Sequence, residues 1–234
     1  MPRTLEVWPL GRVGYAEAHA LQERVVGARK DGAIPDTLLL VEHPPTFTLG
    51  RAAKEEHLRV RRAALSANGF EVHDVGRGGD VTYHGPGQLV GYPIVDLKPD
   101  RQDVRKYVAS LEETMIRLAA DHGLEAERLP GFNGTWLDAG TPRARKIGAV
   151  GVRISRWVTM HGFAFNAAPN LGHFDLIVPC GIADKGVTSV EAETGERPEL
   201  DALGRAAAAH FAAIHASDLV WREDGMERAA SLAG

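Results

Sequence analysis

The stretch Lys146–Ala164, which reads KIGAVGVRISRWVTMHGFA, decides the class of fold. Apolar residues occupy every second position from Val150 to Ile154, and a second alternating run starts at Val158. A period of two is typical of β-strands, because successive side chains of a strand point to opposite faces of the sheet. The polar step Ser155-Arg156 separates the two runs. The stretch therefore predicts two strands joined as a hairpin.

One helix and two further strands are predicted on the N-terminal side of this hairpin. Apolar residues recur at intervals of three and four from Tyr15 to Lys30, which predicts a helix. Leu38–Val41 is a short apolar run followed by Pro44-Pro45, as is typical of a buried strand. Gln88–Asp96 predicts another strand, and its Pro93 favours a position at the edge of a sheet or at a strand end.

Two more helices complete the predicted elements. Asp103 can cap a helix that runs to about Ala120, and its apolar stripe starts at Val104 and Val108. A last amphipathic helix spans about 199–216. This order of elements predicts an α+β, or mixed α/β, fold in which a mixed sheet is flanked by helices. Since no stretch resembles a linker, residues 1–234 are predicted to form a single domain.

The composition is that of a soluble globular protein, with 44% hydrophobic residues, 25% charged residues and a formal net charge of −4. This acidic balance argues against nucleic acid as a partner, and the apolar runs are too short for a membrane partner. Cys180 is the single cysteine, so no disulfide can form within the chain. A lone free thiol is typical of a reducing compartment, and we expect the protein to be cytoplasmic.

Arg77–Gln88, which reads RGGDVTYHGPGQ, is the first candidate site. Its glycines allow close approaches of the backbone, so the segment can enclose a ligand and direct N–H groups at it. Two tight turns on a hairpin would have the same composition, and the residues alone leave both interpretations open. The pattern matches neither the dinucleotide-binding fingerprint nor the phosphate-binding P-loop, so it does not imply a nucleotide.

Cys180 lies between Pro179 and Gly181, in an irregular stretch. A lone cysteine is commonly a small buried apolar residue. A cysteine presented by a turn can instead act as a nucleophile if a nearby cation favours its thiolate. Lys146 and His161 are the candidate cations, although a lysine at the start of a strand is more commonly a solvated residue.

Metal and cofactor chemistry finds little support in the sequence. The ten histidines include no H-E-x-x-H pattern, and a single cysteine cannot form a Cys-x-x-Cys zinc motif. The G-x-S-x-G motif of serine hydrolases is also missing from the sequence. We therefore expect neither a metal nor a cofactor.

Four motifs together resemble the series found in the lipoyl(octanoyl) transferase family. They are RGGDVTYHGPGQ at 77–88, KIGAVGVR at 146–153, HGFAFN at 161–166 and PCGI at 179–182. The earlier EHPPTFTLGR at 42–51 resembles the same family. The match extends, in order, over about 36–190, and the first motif is the longest and most specific.

The resemblance implies a catalytic domain with the fold of lipoate-protein ligases and biotin-protein ligases. It implies that Cys180 carries an acyl thioester and that Lys146 lowers the pKa of this thiol and handles protons. An acyl chain needs an apolar slot, and small residues such as Gly148, Gly151 and Gly162 would leave room for one. The resemblance also implies three substrate-binding segments. Their residues are Arg77, Gly78, Gly79, Asp80, Val81, Thr82, Tyr83 and His84, then Ala149, Val150 and Gly151, then Gly162, Phe163 and Ala164.

The reaction implied is octanoyl transfer for lipoate biosynthesis and protein lipoylation. The donor would be octanoyl-acyl carrier protein. The acceptor would be a lysine of the apo lipoyl domains of 2-oxoacid dehydrogenases or of the glycine-cleavage H protein. An ATP-dependent lipoate-protein ligase would share the fold, and a non-catalytic protein-binding domain is a second alternative. Cys180 favours the transferase, because an adenylating ligase needs no nucleophilic thiol.

Overall fold

The computed structural model describes residues 3–178 and 185–232. Within these residues, nine strands form one mixed sheet in the order β12-β1-β2-β6-β10-β9-β8-β7, with β11 paired to β9. The strands of this sheet are β1 (Arg3–Arg12), β2 (Asp36–Glu42), β6 (Gln88–Ile94), β7 (Ala126–Leu129), β8 (Phe132–Leu137), β9 (Arg145–Ser155), β10 (Val158–Asn166), β11 (Gly186–Val187) and β12 (Ser217–Trp221). Strand β1 pairs in parallel with β2 and β12, and the pairs from β2 to β7 along this order are antiparallel.

Helices cover both faces of this sheet, and one short helix, Arg62–Ala67, packs instead on a second, smaller sheet. They are α1 (Tyr15–Lys30), α2 (Arg62–Ala67), α3 (Val104–Ala120), α4 (Val190–Thr194), α5 (Leu200–Ile214) and α6 (Gly225–Ser231). On one face, Met115 of α3 and Phe211 of α5 belong to the same apolar cluster as Phe165 of β10. On the other face, Leu21 of α1 packs in a cluster with Val90 of β6. The arrangement confirms the predicted α+β fold with a mixed sheet and flanking helices.

The predicted helices are confirmed because their sequence signals are local. Helix α1 occupies Tyr15–Lys30, as its apolar spacing predicts. Helix α3 starts after Asp103, whose carboxylate accepts a hydrogen bond from the Lys106 N–H at 3.0 Å. This bond satisfies one of the N–H groups that the first turn of a helix leaves unpaired. Helix α5 lies within the predicted range 199–216.

The predicted hairpin is confirmed as β9 and β10, but its turn lies one residue further along the chain. Arg156 and Trp157 have φ angles of 53° and 69°, so they, rather than Ser155-Arg156, form the turn. Positive φ at both central residues is the conformation that matches the twist of a two-residue hairpin. The Trp157 carbonyl also accepts a hydrogen bond from the Leu97 N–H, which ties the turn to the main body.

Pro93 lies near the end of β6, in agreement with one of its two predicted positions. The other, a strand at the edge of a sheet, is wrong, because β6 lies between β2 and β10. Pro93 is the last residue but one of the strand. Proline has no N–H group to donate to the neighbouring strand. The carbonyl of Pro93 still accepts a hydrogen bond, from the Thr159 hydroxyl at 2.7 Å.

A second, three-stranded sheet was not predicted from the sequence. It has the order β4-β3-β5 and consists of β3 (Thr46–Leu49), β4 (Glu71–Asp74) and β5 (Val81–His84). Phe47 and Tyr83 anchor a separate apolar cluster beneath it, together with Phe174. The small sheet thereby holds part of the glycine-rich segment, because β5 contains its VTYH portion.

Candidate active site

A cavity of about 500 Å³ lies where the glycine-rich segment meets β9 and β10. Its volume is in the range of small-molecule sites. Helix α1 contributes Tyr15, and the start of α3 contributes Val104 and Val108. The remaining wall consists of residues 77–82, 131–133, 149–152 and 161–164 together with His84, Gln88, Val90, Tyr92, Lys146, Asn166, Phe174 and Val187.

Most residues predicted to bind substrate line this one cavity. They come from three separate parts of the chain: Arg77, Gly78, Gly79, Asp80, Val81, Thr82 and His84; Ala149, Val150 and Gly151; Gly162, Phe163 and Ala164. Lys146 lines the same cavity, whereas Tyr83 does not. Cys180 lies outside the described residues. The roles assigned to all these residues stay predictions.

The glycine-rich segment is held against both sheets, by a backbone hydrogen bond on one side and a side chain on the other. The Gly78 N–H donates to the Val152 carbonyl of β9 at 2.9 Å. The buried Arg77 guanidinium donates to the carbonyl and the hydroxyl of Thr48 in β3, at 2.8 and 2.9 Å. Arg77 therefore braces the loop as well as lining the cavity. A loop fixed in this way presents its wall to a ligand at little cost in conformational entropy.

The glycines of β9 and β10 only partly match the idea that they leave room for an acyl chain. Gly151 and Gly162 line the cavity, but Gly148 does not. A Cβ on Gly148 would lie 2.5 Å from the Met115 sulfur, so this glycine permits α3 to approach the sheet. A Cβ on Gly162 would lie 2.3 Å from the Gly91 carbonyl oxygen. Close packing of protein atoms therefore explains Gly148 and Gly162 without a ligand.

Tyr83 contacts the chain that leads toward Cys180. Its side chain is fully buried in the cluster beneath the small sheet. A hydrogen bond of 2.7 Å joins its hydroxyl to Nδ1 of His173. His173 belongs to the short helical turn Leu171–Leu176, which precedes Val178. Tyr83 therefore links the glycine-rich segment to the residues before Cys180.

The chain is anchored on both sides of residues 179–184. On the N-terminal side, the Val178 N–H donates to the His57 carbonyl at 2.8 Å. On the C-terminal side, β11 pairs in parallel with β9, with Val187 opposite Lys146. The Thr188 N–H then donates to the Lys146 carbonyl at 2.9 Å. The described residues that follow 179–184 are thus tied to the backbone of Lys146.

Lys146 lies in the cavity wall beside an aromatic ring. Its Nζ is 4.6 Å from the centroid of the Trp136 ring, and this tryptophan is buried in β8. The negative face of an indole ring attracts a cation at this distance. Gly134, at φ 120°, lies close to β9, since a Cβ there would lie 2.5 Å from the Gly148 carbonyl oxygen and 3.3 Å from the Lys146 Cε. Two residues of β8, Gly134 and Trp136, thus lie beside a lysine that lines the cavity.

A chain of hydrogen bonds connects His84 to the segment after Cys180. The His84 Nδ1–H donates to the Gln88 amide oxygen at 2.8 Å, and the Gln88 amide N–H donates to Asn166 at 2.9 Å. The Asn166 amide N–H then donates to the Thr188 carbonyl at 2.9 Å. These buried groups have their hydrogen-bond partners within one network, which fixes the relative positions of three chain segments.

Several cavity residues were not identified as site residues from the sequence. Val104 and Val108 were assigned to the apolar stripe of α3, yet Val104 is 45% exposed and lies at the cavity instead of the core. Phe132 is 37% exposed in the same wall. The signal for Asn166 was present, because it ends the HGFAFN motif. Phe132 and Val187 stand outside the quoted motifs, so only the fold brings them to the site.

Burial keeps three histidines of the cavity region neutral. It lowers the pKa of His43 to about 4 and the pKa values of His84 and His161 to about 3. The His43 Nδ1–H donates to the Val13 carbonyl and its Nε2 accepts from the Tyr92 hydroxyl, both at 2.8 Å. His215, which packs on Phe211, also has its pKa lowered by burial to about 4.

We expect these four histidines to make the protein sensitive to acid. An unfolded histidine titrates near pH 6.5, so below this pH the unfolded chain binds protons that the folded chain refuses. The free energy of unfolding should therefore fall as the pH drops from 6.5 toward 4, by up to roughly 1.4 kcal/mol per pH unit for each histidine. Urea unfolding at pH 7 and pH 5 measures this loss.

The variant His43→Asn provides the control for this prediction. Asparagine keeps a donor near the position of Nδ1 but cannot titrate. The free energy of unfolding of this variant should depend less steeply on pH than that of the wild type, because one titrating group is removed. A free energy of unfolding that is equal at pH 7 and pH 5 would contradict the assignment of neutral, buried histidines.

Two further properties of the described residues bear on function. Across residues 3–178 and 185–232, no helix combines the length and apolar character that crossing a bilayer requires. Within the same ranges, no group of three or more His, Cys, Asp or Glu side chains is arranged to hold a metal ion.

Most of the chain matches a known protein family. The model of the lipoyl protein ligase A/B catalytic domain matches residues 14–212. The chain belongs to this family. The resemblance read from the sequence motifs is thereby confirmed, and the match extends beyond the predicted 36–190 at both ends. The assignment of all of 1–234 to a single catalytic domain stays a prediction.

Relatives within the family include two bacterial octanoyltransferases. The octanoyltransferase of Myxococcus xanthus is 49% identical over 93% of this chain. The matched part of this chain spans 61% of that relative's length. That of Acidobacterium capsulatum is 45% identical over 94% of this chain and 93% of its own length. A bipartite lipoate protein ligase from Thermoplasma acidophilum has a solved structure that superposes with a TM-score of 0.75. Its sequence identity is 17%, over 99% of this chain and 91% of that chain, so it supports the fold alone.

Proposed function

We propose that the protein transfers an octanoyl group from octanoyl-acyl carrier protein to a lysine of an apo lipoyl domain. Cys180 carries the acyl group as a thioester, and Lys146 carries protons. The acceptors are the lipoyl domains of 2-oxoacid dehydrogenases and the glycine-cleavage H protein. The observation that carries the proposal is the single cavity that joins Lys146 to the three segments predicted to bind substrate. The octanoyltransferase relatives support the acyl group chosen.

The lining of the cavity suits a medium-length acyl chain. Val104, Val108, Phe132, Val150 and Val152 supply apolar surface. Burial of a CH₂ group contributes about 0.8 kcal/mol, so an eight-carbon chain gains several kcal/mol from such a wall. The polar groups of the lining, Lys146 and His84 among them, then orient the reacting carbonyl.

The first half-reaction forms the acyl enzyme. The Cys180 thiolate attacks the carbonyl carbon of the donor thioester, the carbon–sulfur bond of the donor breaks, and the donor thiolate takes a proton from the Lys146 ammonium. One thioester replaces another, so the step is close to neutral in energy. A cation beside Cys180 stabilises the thiolate and lowers the pKa of the thiol.

The second half-reaction regenerates the enzyme. The acceptor lysine, as a neutral amine, attacks the Cys180 thioester and forms an amide bond. The carbon–sulfur bond breaks, Cys180 leaves as a thiolate, and the now neutral Lys146 takes the proton that the amine loses. Both residues thus end in their starting states. The anchoring of Val178 to His57 and of Val187 to Lys146 supports this pairing of Cys180 with Lys146.

Intact-protein mass spectrometry tests the proposal. After incubation with octanoyl-acyl carrier protein, we expect the mass to increase by one octanoyl group and the adduct to disappear when an apo lipoyl domain is added. Hydroxylamine should release the group, as it does from a thioester. Octanoylation of the lipoyl domain that requires ATP and free octanoate, without an enzyme adduct, would instead identify an adenylating ligase.

A further inference from the structure

Residues 50–59 form a bridge between two parts of the candidate site. On one side, the N–H groups of Gly50, Arg51 and Ala52 donate to the carbonyls of Asp80, Arg77 and Gly79 at 3.0 to 3.2 Å. On the other side, the Arg59 N–H donates to the Leu176 carbonyl at 3.0 Å, and Leu58 pairs with Ile177 as an antiparallel bridge. The glycine-rich loop and the chain that precedes Cys180 are therefore both attached to this bridge.

His57 is the residue of the bridge that contacts both parts at once. Its Nδ1 lies 2.7 Å from the Asp80 carboxylate, and its backbone carbonyl accepts the Val178 N–H at 2.8 Å. The Asp80 carboxylate also accepts the Val81 N–H at 2.7 Å and lines the cavity. The side chains of His57 and Asp80 are only 18% and 9% exposed, so water contributes little to this hydrogen bond.

We propose that His57 is a positioning residue, which fixes the chain before Cys180 relative to the substrate loop through its bond to Asp80. This inference rests on the proposed function only in that Cys180 is the nucleophile. His57 does not line the cavity, so it acts through Asp80 and Val178 and not on the substrate. The other hydrogen bonds described above between the bridge and these two parts of the site are made by backbone atoms. The His57–Asp80 bond is therefore the one among them that a side-chain substitution can remove.

The Asp80 carboxylate is mostly withdrawn from water. Without the imidazole, the bond to the Val81 N–H is the one that Asp80 keeps among the residues that the structure describes. The carboxylate must then bind water or another donor, which moves the loop that lines the cavity. Loss of the imidazole also removes the side-chain bond that holds the Glu55–His57 turn in place. This turn carries the backbone carbonyl that accepts the Val178 N–H. Misplacement of a reacting group by about 1 Å can reduce a rate a hundredfold.

Alkylation of Cys180 by iodoacetamide supplies the test, because the chain contains no other thiol. We compare His57→Leu, which removes the donor, with His57→Asn, whose amide nitrogen can occupy the place of Nδ1. His210→Leu is the matched control, since His210 bonds Asp121 at the same distance of 2.7 Å and neither residue lines the cavity. Melting temperature and kcat for octanoyl transfer are measured on each variant.

We expect His57→Leu to slow alkylation and to lower kcat by at least about tenfold, because the thiolate loses its place beside a cation. KM for the acceptor should change less than kcat. His57→Asn should restore most of both rates. His210→Leu should leave both rates near the wild-type values, and its melting temperature should fall less than that of His57→Leu, because the side chain of Asp121 is 44% exposed.

Rates within twofold of the wild type in His57→Leu would overturn the proposal, as would an equal loss in His210→Leu. If His57→Leu does not fold, His57→Asn is compared with His57→Gln, whose amide nitrogen lies further along the side chain. The proposal then requires the asparagine variant to be faster by about fivefold, and equal rates overturn it. If Cys180 of the wild type is alkylated by iodoacetamide but forms no octanoyl adduct, the proposed function is refuted. The rates of alkylation of the His57 variants relative to the wild type would still decide the role of His57.

Discussion

Replacing Cys180 by alanine is expected to lower the rate of octanoyl transfer by more than about a thousandfold, because alanine offers no atom that can carry the acyl group. The residue is the single thiol of the chain, so no other cysteine can substitute for it. The intact-mass adduct formed with octanoyl-acyl carrier protein should disappear as well. Circular dichroism and melting temperature should remain close to those of the wild type, which would separate lost chemistry from lost folding.

The variant Cys180→Ser sharpens this prediction. Serine keeps a hydroxyl of similar size, but an unactivated hydroxyl is a far weaker nucleophile than a thiolate at neutral pH. We therefore expect Cys180→Ser to be nearly as slow as Cys180→Ala. If the alanine variant retained a tenth or more of the wild-type rate, the acyl group would not pass through Cys180, and direct attack of the acceptor on the donor would replace the two-step scheme.

The sequence predicted those elements whose signals are local. Helix α1 and the cap of α3 at Asp103 follow from spacing and from a single capping side chain. The hairpin of β9 and β10 follows from its alternation. In contrast, β1 pairs with β12 over 200 residues further along the chain, with Arg3 opposite Ser217. No local pattern specifies such a pairing, so the edge of the main sheet could not be predicted.

The candidate site shows the same division between local and distant information. The motifs at 77–88, 146–153 and 161–166 were found by resemblance, and the fold brings them to one cavity. Gly148 illustrates where residue type alone misleads, because the missing side chain makes room for Met115 of α3, and Gly148 does not line the cavity. His57 lies outside every motif quoted, and only the folded chain places it between Asp80 and Val178.

Lys146 is the second residue whose replacement should have a large effect. In Lys146→Arg the positive charge remains, and a planar guanidinium can still stack on the Trp136 ring. Arginine does not release a proton under these conditions, so it cannot take one from the attacking amine. We expect transfer to the lipoyl domain to fall by about a hundredfold or more, while acylation of Cys180 persists in part. Lys146→Ala should impair both steps.

Single-turnover kinetics separate the two half-reactions. Mixing enzyme with octanoyl-acyl carrier protein alone gives the rate of adduct formation, and adding the apo lipoyl domain to isolated acyl enzyme gives the rate of its loss. In Lys146→Arg the second rate should fall more than the first, because the second step needs a base and the first needs mainly a positive charge beside the thiolate.

The matched control for Lys146 is Lys106→Arg, at an exposed position of α3 that does not line the cavity. It should leave both half-reactions unchanged, which excludes a general effect of exchanging lysine for arginine. Alkylation of Cys180 at several pH values gives an independent measure, since the thiol should titrate lower in the wild type and in Lys146→Arg than in Lys146→Ala. Wild-type rates of acyl-enzyme breakdown in Lys146→Arg would show that another group accepts the proton, and the role proposed for Lys146 would then be wrong even if Cys180 carries the acyl group.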